Sequence, residues 1–184
     1  MDPPPPVRAY VLLAPALWNR ALMNPVMRGG IWLAERTLPA LPVQGGIGGV
    51  VASDNEAALR RLGRDPLVIR VTRVDSALGL MDLMDKAVAA LPRCCGGEDG
   101  RPAPALLLYG ERDMIVPARM TRAAVASVPA ETGLRMGVYE GGYHLLLSGR
   151  NREEVVRDIL VFLDDPRAPL PSGAEARAPG WLAR

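Results

Sequence analysis

Short, continuous apolar runs alternate along the chain with longer stretches of helical periodicity. An apolar run of this length that ends near a proline or glycine is typical of a strand buried on both faces of a parallel sheet. Tyr10–Ala14 and Leu106–Tyr109 have this form, and Leu134–Tyr139 is a third candidate strand. Helices are expected between them, so the order of elements predicts an α/β fold with a parallel sheet of about three strands and right-handed crossovers.

Apolar residues at helical spacing mark the segments between and after these strands. The clearest helix is Leu78–Leu91, whose leucine, methionine and valine side chains fall on one face. Other helices are predicted at three places: within Trp18–Leu41, where proline and glycine should divide the segment into two; at Ala118–Val128; and after Asn151. The stretch Ser53–Glu56 has the form of a capping box, with Ser53 as the N-cap of a further helix.

Composition limits the classes of function. The chain has 184 residues, of which 49% are hydrophobic and 4% aromatic, and its formal net charge is +2. Arginines alternate with acidic residues and form no basic stripe with interleaved aromatics, so we expect no nucleic acid partner. No apolar stretch approaches the roughly 20 residues that a membrane span requires. Met1–Pro6 has neither the basic start nor the apolar core of a signal peptide.

The adjacent residues Cys94 and Cys95 are the only cysteines. An ordinary structural disulfide joins Cα atoms about 5.5 Å apart, a separation that neighbours in sequence do not reach. We therefore expect both to be reduced, as in a cytoplasmic protein. Asp82 and Asp85 have no histidine or cysteine near them and are expected to form a solvated helix face. We predict no metal site and no cofactor.

Two residues suited to proton transfer follow the second and third predicted strands. Asp113 comes three residues after Gly110, and His144, the single histidine, follows Gly141-Gly142. Ligands of open α/β sheets bind beyond the carboxyl ends of the strands. Taken alone, Asp113 suits a turn and His144 a solvated position. Their order, each after its own strand with a helix between, favours an acid–base pair in which the carboxylate orients the imidazole.

The segments around these residues resemble the α/β-hydrolases. Gly110-Glu-Arg-Asp-Met-Ile-Val-Pro117 and Gly142-Tyr-His144 are similar to the acid and histidine segments of the monoacylglycerol lipase and lysophospholipase branch, which includes serine aminopeptidase-like hydrolases. The resemblance extends over about Tyr10–Leu163. It implies a lipid-like acyl ester as substrate, a helical cap over the binding pocket, and a Ser-Asp-His triad with Asp113 and His144 as members.

The nucleophile motif of this family is not present. The family places a serine in a Gly-x-Ser-x-Gly elbow upstream of the first predicted strand, whereas the serines at 53, 76, 127, 148 and 172 lack the flanking glycines. We expect a truncated, C-terminal part of an α/β-hydrolase that is inactive alone. Its expected segments are a proline-rich head at 1–7, a partial domain at 8–163 with a cap insertion at about 16–77, and a disordered tail at 164–184.

Other functions remain open at the level of sequence. A half-hydrolase could serve without catalysis as an acyl-binding or protein-binding module. An aspartate nucleophile, as in dehalogenases and epoxide hydrolases, would also lie upstream and is not excluded. The cap is expected to contact membrane surfaces, and the apolar edge beside Tyr10–Ala14 is expected to associate with another polypeptide.

Overall fold

The computed structural model describes residues 7–44, 49–96 and 102–184. The predicted proline-rich head therefore lies, except for its last residue, outside the described residues. Strands and helices alternate as the apolar pattern predicts. The strands are β1 (Tyr10–Leu13), β2 (Pro42–Gln44), β3 (Val71–Arg73), β4 (Ala105–Gly110) and β5 (Leu134–Tyr139); the helices are α1 (Pro25–Thr37), α2 (Glu56–Arg64), α3 (Val74–Ala90), α4 (Ala118–Ala126), α5 (Arg152–Asp164) and α6 (Ala174–Leu182).

The main sheet has three parallel strands in the order β1-β4-β5. Each matches a predicted strand to within one residue at either end. Because the strands are parallel, their carboxyl ends meet at one rim, where Leu13 pairs with Leu108 and Gly110 with Tyr139. The short antiparallel pair β2–β3, which the sequence did not predict, forms a separate sheet.

Alternate residues of the central strand β4 face two separate apolar layers, as the period of two in a strand requires. Leu107 and Tyr109 pack with residues of α4 and α6 on one face. Leu106 and Leu108 pack on the other face with residues of α5. All six β4 residues are buried, which explains why its sequence is an unbroken apolar run.

The predicted disordered tail at 164–184 is wrong, because the chain after α5 folds back on the sheet. Ala174, Ala178 and Trp181 are buried on one side of α6, and Leu170 is buried in the connection that precedes it. The three buried residues of α6 are four and three positions apart, the spacing of the apolar stripe on an amphipathic helix. The prolines and charges of the tail obscured this pattern.

The segment between β1 and α3 contributes little to the core. Helices α1 and α2 contain no buried residue. Helix α1 begins at Pro25, after a separate 3₁₀ turn at Arg20–Leu22, so the predicted interruption at Pro25 is present. The predicted interruption at Gly29-Gly30 is wrong, because α1 is continuous through both glycines. The capping prediction also fails, because Asn55 is the N-cap of α2 and accepts from the Ala58 N–H at 3.2 Å. The assignment of 16–77 as a cap stays a prediction.

The cysteine prediction is also corrected. Cys94 and Cys95 are joined by a disulfide, with Cα atoms 3.7 Å apart. Cys95 has a positive φ of 70°, a left-handed conformation that is uncommon for residues other than glycine. The cysteine pair therefore gives no argument for a cytoplasmic location.

The outer edge of β1 is open among the described residues. The N–H groups of Tyr10 and Ala14 donate towards β4, to the carbonyls of Pro104 and Leu108 at 2.8 Å each. The intervening Val11 and Leu13 direct their N–H groups to the opposite side, because a strand alternates its donors. Within the described ranges, no helix has both the length and the hydrophobicity needed to cross a lipid bilayer.

A buried polar cluster joins α5 to β5 and to the segment before α6. The fully buried carboxylate of Asp158 accepts from the Tyr139 hydroxyl at 2.7 Å and from the Ser172 N–H at 3.0 Å. Burial, reinforced by the Asp158 carboxylate, raises the pKa of Tyr139. Burial and then the charge of Asp113 raise the pKa of Tyr109. Both phenols are therefore held in the neutral form.

These two tyrosines predict a loss of stability in alkali. Each phenol has a folded-state pKa above its ordinary value of about 10. Its contribution to the stability of the folded state is therefore complete below about pH 10 and decreases as the pH rises further. We expect the free energy of unfolding to fall above about pH 10, by up to about 1.4 kcal/mol per pH unit for each tyrosine. Urea denaturation as a function of pH measures it. Tyr139→Phe should make the decline shallower, and an unchanged slope would contradict the assignment.

Candidate active site

The loop after β4 fixes Asp113 through its own backbone. One carboxylate oxygen, Oδ1, accepts from the N–H groups of Ile115 at 2.8 Å and Val116 at 2.9 Å. The Asp113 side chain is fully buried. An aspartate turn of this kind is the ordinary role for the residue, and here it leaves the second oxygen, Oδ2, for another partner.

That partner is His144, on the loop after β5. Its Nδ1 lies 2.8 Å from Oδ2 of Asp113, so the predicted contact between these side chains is present. The imidazole is 22% exposed. Because a carboxylate accepts hydrogen bonds, Nδ1 carries the proton in the neutral ring and Nε2 carries the lone pair. Nε2 has no hydrogen-bond partner among the described residues.

Backbone hydrogen bonds hold two loops together. The acid loop, residues 111–117, carries Asp113, and the histidine loop, residues 140–145, carries His144. The Tyr139 carbonyl accepts from Glu111 N–H at 3.0 Å and from Gly142 N–H at 3.1 Å. The Gly142 carbonyl in turn accepts from Arg112 N–H at 2.8 Å. The bonds donated by Glu111 and Arg112 extend the pairing of β4 and β5 past the ends of the strands, so each loop is positioned by the other.

The loops also approach each other so closely that only glycine fits at position 110. A Cβ on Gly110 would lie 2.5 Å from the carbonyl oxygen of Gly142 and 2.6 Å from that of Tyr143. Both contacts are with backbone, which cannot rotate away as a side chain can. The sequence alone indicates that Gly110 ends a strand, but this steric role depends on the carbonyls of a loop more than 30 residues away and has no local signal.

The loop that follows His144 is bonded to the segment 52–54. Their contacts are three hydrogen bonds: Leu145 N–H to Ala52 O at 2.9 Å, Ser53 hydroxyl to Ser148 O at 3.2 Å, and Arg150 N–H to Asp54 Oδ1 at 2.9 Å. Ser53 is therefore a buried anchor rather than the predicted helix cap. The predicted cap insertion is tied to the histidine loop at this point.

No serine within the described ranges hydrogen-bonds to His144, whose single side-chain partner there is Asp113. Nor do those ranges contain a group of three His, Cys, Asp or Glu side chains arranged to hold a metal ion. The arrangement supplies an oriented base at Nε2. Its chemistry would require a nucleophile presented from the open side of the imidazole.

Gly110→Ala tests the packing of the two loops. We expect the added methyl group to force the loops apart, to remove the Asp113–His144 hydrogen bond, and to cost about 2–4 kcal/mol of stability. Gly79→Ala in α3 is the matched control, since a Cβ there meets nothing within 4 Å; it should be neutral or stabilising by up to about 1 kcal/mol. Urea denaturation and the NMR signals of the single imidazole measure both effects. Equal behaviour of the two variants would contradict the steric role.

The sequence was also compared with known families. Residues 1–151 match the family model Hydrolase_4, described as serine aminopeptidase, S33. A search of curated proteins gave no match.

Two solved structures of lipases are similar to this fold. The monoacylglycerol lipase of Paleococcus ferrophilus aligns at 25% identity and a TM-score of 0.67, over 85% of this chain and 58% of the lipase. A soluble variant of the Saccharomyces cerevisiae monoglyceride lipase, in complex with a substrate analogue, aligns at 16% identity and a TM-score of 0.59, over 85% and 55% of the respective chains. This chain thus spans less than two thirds of either lipase. It belongs to the serine aminopeptidase S33 family and has part of the α/β-hydrolase fold.

Proposed function

We propose that this chain forms the acid–histidine part of a serine carboxylic-ester hydrolase that acts on lipid-like acyl esters. The observation that carries the proposal is the hydrogen bond of 2.8 Å between Asp113 and His144 at the carboxyl rim of the sheet. It leaves Nε2 without a partner among the described residues, on an imidazole that is 22% exposed. Membership of the S33 family is consistent with this chemistry.

The proposed reaction proceeds through an acyl-enzyme. Nε2 of His144 accepts the serine hydroxyl proton while the serine oxygen bonds to the ester carbonyl carbon. The carbon–oxygen bond to the alcohol then breaks, and the imidazolium returns its proton to the leaving alcohol. Water then attacks the acyl-enzyme, with His144 again as the base, and this step releases the carboxylic acid and the free serine. Asp113 keeps the ring in the correct tautomer and stabilises the imidazolium.

The serine in this proposal comes from a polypeptide segment outside the 184 residues. The open edge of β1 is where further strands of the sheet would pair, because the N–H groups of Val11 and Leu13 face away from β4. A nucleophile at the carboxyl end of such a strand would reach the same rim as His144. The edge is also the place where this chain is expected to associate with another polypeptide.

A lipid-like substrate is supported by two observations. The similar structures are a monoacylglycerol lipase and a monoglyceride lipase bound to a substrate analogue. Helix α1 also exposes large apolar side chains, with Val26 83% and Trp32 54% exposed. Scattered single residues would need no explanation, but an unburied apolar helix marks a surface for a lipid or a partner. We propose that α1 contacts the lipid surface from which the substrate is taken.

The first test is reaction with a serine-directed fluorophosphonate probe. We expect no labelling of the 184-residue chain and no hydrolysis of p-nitrophenyl butyrate or 2-oleoylglycerol. An extended chain that includes an upstream Gly-x-Ser-x-Gly segment in the same reading frame should be labelled and active. His144→Gln in the extended chain is the control and should abolish both. Covalent labelling of a serine within the 184 residues would overturn the proposal that the nucleophile is supplied from elsewhere.

The second test distinguishes orientation of the imidazole by Asp113 from a role of Asp113 in substrate binding. In the extended, active chain, Asp113→Asn should lower kcat by about 10⁴-fold with little change in KM, because the amide no longer holds the required imidazole tautomer. Steady-state hydrolysis of 2-oleoylglycerol measures both constants. Asp54→Asn is a matched substitution and should retain most of kcat, because the amide oxygen can still accept from the Arg150 N–H, the single hydrogen-bond donor to this carboxylate among the described residues. A change in KM with kcat unaltered would contradict the role of Asp113.

The third test addresses the exposed helix. Val26→Glu with Trp32→Glu should weaken binding to vesicles of phosphatidylcholine and phosphatidylglycerol at least about tenfold, because each apolar side chain gains about 1.5 kcal/mol or more on burial. Leu160→Glu is the control, at an apolar residue of α5 that is 61% exposed. Sedimentation with vesicles measures the binding. Equal binding by all variants would exclude α1 as the lipid contact.

A further inference from the structure

Helix α6 lies outside the part of the chain that matches the family model, which ends at residue 151. It packs against the edge strand β5 through Ala178 and Trp181. The Arg177 side chain donates to the Val138 carbonyl at 2.9 Å. Because Tyr139 directs its carbonyl to the acid loop beside β4, the neighbouring Val138 carbonyl faces the outer edge. Helix α6 therefore covers an edge of the sheet that would otherwise be open.

The C-terminal end of α6 contacts the end of β4, just before the acid loop, through an aromatic pair. The ring centroids of Trp181 and Tyr109 are 4.8 Å apart with an interplanar angle of 45°. The Tyr109 hydroxyl donates to the Val116 carbonyl at 2.7 Å. The N–H of the same Val116 donates to Oδ1 of Asp113 at 2.9 Å. A continuous line of contacts thus runs from Trp181 to the catalytic carboxylate of the proposed function.

Two arginines fix Trp181 and the end of α6. The guanidinium of Arg122, on the helix that follows the acid loop, lies 4.4 Å from the Trp181 ring centroid, a distance at which the ring attracts a cation. Arg184 forms an ion pair with Glu111 at 2.6 Å. Since the Glu111 N–H also bonds the Tyr139 carbonyl, α6 is attached to both ends of the acid loop.

We infer that Trp181 and Tyr109 are positioning residues for Asp113, and that α6 is a brace for the acid loop in addition to an edge cover. This inference rests on the proposed function, since it concerns the same acid–histidine pair. A carboxylate that orients an imidazole must be held to within about 0.5 Å. The turn made by Asp113 itself fixes its Oδ1, and the Tyr109 hydroxyl fixes the turn through the Val116 carbonyl.

A general packing role for Trp181 would give a different result from a positioning role. Under general packing, any equal loss of core volume should disturb the site equally. Phe162 offers the comparison, because it is fully buried on α5 in the apolar layer on the other face of the sheet. Tyr10 offers a second comparison, because its hydroxyl donates to a main-chain carbonyl, that of Gly96 at 3.0 Å, as the Tyr109 hydroxyl does to Val116.

The test uses the full 184-residue chain and the NMR signals of its single imidazole. We expect Trp181→Leu and Tyr109→Phe to remove most of the low-field signal of the His144 Nδ1 proton and to raise the fraction of the Nε2–H tautomer in the ¹H–¹⁵N spectrum. Phe162→Leu and Tyr10→Phe should keep both signatures, even where urea denaturation shows that they are equally destabilised. Trp181→Phe should restore part of the signal lost in Trp181→Leu.

The outcomes are decisive in each direction. Retention of the signal in Tyr109→Phe and Trp181→Leu, or its equal loss in all four variants, would overturn the positioning role. If Trp181→Leu does not fold, the comparison of Tyr109→Phe with Tyr10→Phe decides alone. These spectra require neither an ester nor a serine, so a failure of the esterase proposal and a failure of the positioning role are observed separately.

Discussion

The structure depends on a backbone contact in which the acid and histidine loops touch at Gly110. Two hydrogen bonds, from the Glu111 N–H to the Tyr139 carbonyl and from the Arg112 N–H to the Gly142 carbonyl, continue the pairing of β4 and β5 beyond the sheet. No Cβ can be accommodated at Gly110 without moving the neighbouring carbonyls. The 2.8 Å bond between Asp113 and His144 thus forms between two loops whose main chains are already packed together.

This arrangement explains which parts of the molecule could be predicted from the sequence. Strand β4 is central and buried throughout, so its sequence is an unbroken apolar run, and such runs are distinctive. The pairing of Asp113 with His144 follows from parallel topology, because parallel strands bring their carboxyl ends to one rim. Neither inference needs atomic detail; both rest on the direction of the strands and the order of residues after them.

The features that escaped prediction depend on contacts between distant parts of the chain. The steric role of Gly110 arises from a carbonyl at Gly142, and the anchoring of Ser53 from a carbonyl at Ser148. Composition suggested disorder for the end of the chain, yet Trp181 packs against the ring of Tyr109. Local propensity is a weak guide where tertiary packing determines the conformation. The disulfide between Cys94 and Cys95 is a local exception, which joins sequence neighbours and accompanies an unusual backbone angle at Cys95.

The attachment of residues 52–54 to the loop after His144 couples the insertion between β1 and α3 to the rim of the sheet. A rigid-body shift of that segment must break its hydrogen bonds to Leu145, Ser148 and Arg150 or carry the loop along. Although α1 and α2 contain no buried residue, the insertion is therefore fastened next to the imidazole, and its displacement would move the main chain that adjoins His144.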